Sequence, residues 1–144
     1  MSYQLKRINP FWYTHPMIPT AVVIGGIVGL VGYKTQNLIV AGIGAVVASL
    51  AILAAARPVV SALLATLGLF GGLVTFVIVP GANVMGMSLG QRLLSVLLFA
   101  LFYMVLMDAL VLVVSVLYNL FAGVVGLGGL RLEFESAEEE EPTA

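Results

Sequence analysis

The chain has no cysteine, a single histidine and few charges, with six Lys or Arg and seven Asp or Glu among 144 residues. Each scarcity excludes something. Without cysteine there is no disulfide framework and no thiolate metal site. With His15 alone, a bis-histidine haem cannot be built within one chain, and a zinc site wants three or four ligands. Charged residues make up 9% of the sequence, where a soluble domain carries roughly a quarter. That leaves too little polar surface to cover a water-soluble globule, and it excludes a disordered chain and a basic nucleic-acid-binding face. Hydrolytic and nucleotide motifs are missing too: no Gly-x-Ser-x-Gly, no His-Glu-x-x-His, no Walker loop and no dinucleotide fingerprint. Paired carboxylates occur only in the C-terminal tail, at Glu133, Glu135 and Glu138–Glu141. Neither an enzymatic activity nor a cofactor or metal is expected. What is present is 61% hydrophobic residues and 16 glycines, the composition of a chain whose solvent is lipid.

A spanning helix needs about 20 apolar residues at ~1.5 Å rise each. Breaks in the pattern predict four, at about 18–33, 38–56, 59–79 and 93–120, an all-α polytopic membrane bundle with short connectors. Pro16 and Pro19 open the first, since proline suits a first helical turn. Lys34-Thr35-Gln36-Asn37 joins it to the second as a tight antiparallel hairpin, and Arg57-Pro58 marks the next turn. Pro80-Gly81-Ala82-Asn83 ends the third, and residues through Arg92 read as a loop. The fourth run would reach ~42 Å, so it must tilt or protrude. A rival reading splits it at Asp108, but Tyr103 to Leu112 holds no Gly, Pro or Asn for a turn.

Residues 1–17 do not read as a signal peptide. Lys6 and Arg7 are followed by Asn9, Pro10 and the stretch to Pro16 instead of an apolar core. They read as a retained interfacial segment, with Phe11, Trp12 and Tyr13 as an aromatic anchor. Residues 131–144 read as an acidic, solvated tail. With four spans, Lys6, Arg7, Arg57 and Arg131 fall on one side and Lys34 and Arg92 on the other. This bias expects both termini in the cytoplasm or an equivalent interior.

Small residues supply helix contacts in lipid. Gly25, Gly29 and Gly32 form one stripe on the first helix, and Ser61, Gly68, Gly72 and Thr75 another on the third. The fourth helix, rich in Leu, Val, Phe and Met, is expected at the periphery, facing lipid or a neighbouring chain.

Asp108 is the only charged side chain inside a predicted span. An aspartate there costs about 2.5–3.5 kcal/mol on insertion scales and usually faces the interior with a partner. Ser115 and Asn119 lie about 20° to either side of it on the same helix face, so the three make a polar stripe. Arg92 is too far to answer Asp108, which leaves a protonated carboxyl bonded to a neighbouring oxygen or a cation from another subunit. Thr66 and Thr75 are the expected internal partners, with Ser49 next. A pigment or lipid stacked on Phe99, Phe102, Tyr103 and Tyr118 is a weaker alternative to ordinary lipid-facing aromatics.

In size, span count and acidic tail the chain resembles small four-span accessory subunits of respiratory or photosynthetic complexes and small membrane proteins of enveloped archaeal viruses. The resemblance transfers no residue. The expected function is a structural or assembly role in a larger membrane complex or an envelope lattice. The expected partners are membrane lipids and other membrane subunits or copies of the chain itself, not nucleic acid. The alternative is a homo-oligomeric channel or small transporter with Asp108 as its proton or cation site.

Overall fold

The computed structural model describes residues 2–5, 7–12, 14–124 and 130–133. The element order is β1 (Ser2–Leu5), α1 (Met17–Lys34), α2 (Leu38–Ala55), α3 (Pro58–Leu73), α4 (Leu89–Asn119) and β2 (Leu130–Glu133). One π-helical turn extends α3 over Val74–Ile78, and another extends α4 over Leu120–Val124. Four helical stretches are long and apolar enough to cross a membrane, the longest being Leu89–Gly123. Within an apolar 18-residue stretch of each, only 11–17% is buried within the chain, so most of that apolar surface has lipid, not protein, to meet. The fold is the expected four-helix membrane type, and the chain is an integral membrane protein.

The connector between α1 and α2 is short, and its backbone groups are capped on both sides. The amide of Asn37 donates to Gly32 O at 2.9 Å and that of Gln36 to Tyr33 O at 3.1 Å, which closes α1 with a Schellman motif. Its left-handed position is Gln36, at φ 57°, where glycine is the usual choice. Asn37 then turns round as the N-cap of α2, its Oδ1 accepting from the amides of Ile39 and Val40, both at 3.2 Å.

α1 and α2 meet through glycine and backbone. A Cβ on Gly25 would lie 2.7 Å from Ala48 N, and one on Gly44 2.6 Å from Gly25 O. On Gly32 it would collide with Ala41 N. Gly29 is looser, with Ala45 N at 3.6 Å. Partners run in opposite directions along the two helices, the antiparallel hairpin the short connector requires.

α3 and α4 form the second hairpin. Gly68 lies against Ala100, where a Cβ on the glycine would come 2.9 Å from Ala100 Cα. A Cβ on Gly72 would come 3.2 Å from Val96 Cα. Phe99 covers Gly71. The small residue that admits α3 is Ala100, which is buried together with Val96. The fourth helix is therefore not merely peripheral, as its composition suggests. One face is committed to α3, while Leu94, Leu97, Leu101 and Phe102 remain exposed.

α4 begins four residues before the predicted run at 93. Ser88 caps it in a capping box: Gln91 Oε1 accepts from Ser88 N at 2.9 Å and Ser88 Oγ accepts from Gln91 N at 3.4 Å. Arg92 sits inside the helix and donates back to the carbonyls of Met87 and Met85, both at 3.2 Å, closing the preceding loop. The helix runs unbroken through Asp108, as expected from the lack of turn residues there.

The chain forms two compact units, Pro10–Leu112 and a smaller one of Met1–Asn9 with Val113–Ala144. In the smaller unit β1 and β2 pair antiparallel, Ser2 with Glu133 and Leu5 with Leu130. This ribbon is an addition to the all-helical expectation, outside the spans, and it joins the two ends of the chain to each other.

Candidate functional site

Asp108 and Ser61 form the polar centre of the α3–α4 hairpin. Ser61 Oγ donates to Asp108 Oδ2 at 2.7 Å, the usual separation for a hydroxyl hydrogen bond. Asp108 is fully enclosed, at 0% exposure. Its other oxygen, Oδ1, is buried without a hydrogen-bond partner among the described residues. The expected partners are not the ones used. Thr66 Oγ1 donates to Ala62 O at 2.9 Å and Thr75 Oγ1 to Gly71 O at 2.8 Å, and both threonines face outward. A helical threonine readily satisfies its hydroxyl on the carbonyl one turn back. Thr75 thus lies off the packing stripe on which Ser61, Gly68 and Gly72 meet α4.

The register changes the depth at which Asp108 lies. Counted along its own helix it is near the middle, but its partner Ser61 is only three residues past Pro58, the first residue of α3. The carboxyl therefore sits beside the N-terminal turn of a neighbouring helix, where the partial positive charge of the helix dipole resides. Arg57, immediately before α3, accepts the amides of Val60 and Ser61 on its carbonyl. Its exposed side chain starts one turn from Ser61.

The other members of the expected stripe belong to the smaller unit. Ser115 is buried at 3% exposure. Asn119 grips the N-terminal segment with both ends of its amide. Nδ2 donates to Ile8 O at 2.7 Å, and Oδ1 accepts from Ile8 N at 2.8 Å. A side-chain amide here copies the backbone pairing of a β-bridge. Asp108 and Asn119, one expectation in the sequence, serve two different contacts.

The N-terminal segment is also fastened to the α2–α3 turn, within the larger unit. Trp12 N donates to Ala55 O at 2.8 Å and Arg57 N to Pro10 O at 3.0 Å, with Phe11 opposite Ala56. These bonds satisfy backbone groups that the break between α2 and α3 leaves over. They leave Trp12 66% exposed, as an interfacial anchor needs, and Phe11 half-buried. Tyr13, the third anchor residue, lies outside the described residues, as does the acidic tail after Glu133.

His15 is exposed, and its Nδ1 accepts from Met17 N at 3.3 Å at the start of α1. Among the described residues no three His, Asp or Glu side chains come together to hold a metal. Of the aromatics considered for a ligand, Phe99 and Tyr103 stack on each other at 6.3 Å and 19°, and Phe76 meets Phe99 edge-on at 6.1 Å. Phe102 points outward at 74% exposure.

Two signals present in the sequence locate what composition missed. The Ser88-Leu89-Gly90-Gln91 spacing is that of a capping box. Ser61 lies on the same stripe as Gly68 and Gly72, the stripe on which α4 packs and to which it brings Asp108. No family model, curated protein or solved structure matches the chain.

Proposed function

We propose that the chain is a structural or assembly subunit of a larger membrane complex or membrane lattice, working through contacts and not through chemistry. The observation that carries this reading is how its intramembrane polar groups are used. Asp108 answers Ser61 and Asn119 answers Ile8, so both hold the chain's own segments together. A pathway-lining carboxylate would face water, and Asp108 is enclosed. Outside these contacts the four helices offer apolar faces suited to lipid and to other subunits. Both ends, joined by the β1–β2 ribbon, lie in this reading on the cytoplasmic or interior side, which carries the greater number of basic residues.

The test is the mass and protein composition of the particle released by mild detergent. The chain is expected inside an assembly, with other proteins or as many copies of itself. A stable, functional monomer contradicts the reading. Flux through reconstituted vesicles that depends on Asp108 would instead establish the channel or transporter alternative.

A further inference from the structure

We propose that Asp108 is a proton-binding site at the α3–α4 seam, with the proton held between Asp108 Oδ2 and Ser61 Oγ. The inference is independent of what particle the chain belongs to.

Three observations lead to it. The carboxyl is fully enclosed, Oδ2 lies 2.7 Å from Ser61 Oγ, and Oδ1 meets no donor among the described residues. As a carboxylate, Asp108 would bury a charged oxygen with nothing bonded to it, the most costly state for a polar atom away from water. As a carboxylic acid, its Oδ2–H donates to Ser61 Oγ across the same 2.7 Å. Oδ1 is then a plain carbonyl oxygen, the less costly kind of unpartnered group. A metal ion is a poor alternative occupant, because no three carboxylate or histidine side chains come together among the described residues.

The site is built to exchange as well as to bind. Uptake breaks one O–H bond of a hydronium ion, forms the Oδ2–H bond and leaves water; release transfers the same proton back to water and regenerates hydronium and the carboxylate. Ser61, the partner of the enclosed carboxyl, is only half-buried and lies three residues past the first residue of α3. The α3 N-terminus places partial positive charge beside the group and makes the ionised state reachable. The charged and titratable side chains of the hairpin are few. α3 has Arg57 at its start; α4 has Arg92, Tyr103 and Tyr118; and Arg92 is already engaged with the carbonyls of Met85 and Met87. Among the described residues, Ser61 is the side chain that hydrogen-bonds the carboxyl.

The sequence supplies an unusually clean test, because Asp108 is its only aspartate. The full chain, labelled with carboxyl-13C aspartate and placed in phosphatidylcholine vesicles, reports this one group by infrared or solid-state NMR. The expected result is a single carboxyl signal that converts between acid and carboxylate forms as pH is scanned, with one proton exchanged per chain. Ser61→Ala is expected to move the acid signal toward that of an acid without a hydrogen bond and to displace the midpoint of the conversion. A signal that keeps one form throughout the pH range in which helical content is retained overturns the proposal. So does an acid signal that Ser61→Ala leaves unmoved. Neither outcome bears on the particle mass that tests the assembly role.

Discussion

The two hairpins solve one problem in different ways. α1 and α2 approach until backbone touches backbone: Gly25, Gly32 and Gly44 each lack the room for a single methyl group. No side-chain hydrogen bond joins them among the described residues. α3 and α4 also cross at glycines, but Gly68 and Gly72 face Ala100 and Val96, and a buried hydroxyl–carboxyl pair fixes the register. In lipid, where apolar surface gives helices no reason to associate, dispersion through close packing and a hydrogen bond are the available forces. The first hairpin relies on packing and a short connector. The second has a ten-residue loop between Ile78 and Leu89, which leaves its register freer, and the polar pair restores it.

This contrast breaks most sharply at Gly44. Gly44→Val puts side-chain atoms onto Gly25 and Gly29 backbone, so the α1–α2 hairpin is expected to lose about 2–3 kcal/mol, the upper range for overpacking. Reversible unfolding in mixed detergent micelles measures it. The α3–α4 hairpin should respond most to Asp108→Leu, which removes the carboxyl that the half-buried Ser61 bonds. We expect a loss of about 1–3 kcal/mol in the same assay, and a loss under half as large for Asp108→Asn, which can still bond Ser61. If the asparagine and leucine variants are equally stable, the pair does not set the register.

Smaller effects sharpen the comparison. Gln36 holds a left-handed conformation that costs a side-chain-bearing residue about 1 kcal/mol. Gln36→Gly is therefore expected to stabilise the first hairpin by up to about that amount and to leave the second unchanged. Gly26 and Gly42 belong to the same two helices as the contact glycines, yet a methyl group on either meets nothing within 4 Å. Gly26→Ala and Gly42→Ala are expected to be neutral or to stabilise by about 0.5–1 kcal/mol through helix propensity. Destabilisation at either would place a partner surface there.

The spans are legible in the sequence because length and apolarity are enough to identify them, and the first two predicted boundaries fall within one residue of α1 and α2. The start of α4 is not, because Pro80, Gly81, Asn83, Gly86 and Gly90 lend the segment a loop-like composition that masks the Ser88–Gln91 cap. The importance of Asp108 is legible from its isolation, but its partner is not. Depth in a bundle depends on the neighbouring helix, and a residue near the middle of a 31-residue helix can lie beside the end of a 16-residue one. Thr66 and Thr75 look suitable only while position on α4 is equated with depth in the bilayer. The grip of Asn119 on Ile8, 111 residues apart, and the β1–β2 ribbon have no local signature at all.

The most direct test of the claim that intramembrane polarity here serves the chain's own assembly is a double-mutant cycle on Ser61→Ala and Asp108→Ala, read as the stability of the full chain in micelles. Direct bonding predicts a coupling of about 0.5–1.5 kcal/mol between the two substitutions. Strictly additive losses would mean that Asp108 does not hold α3 to α4, and would contradict the account.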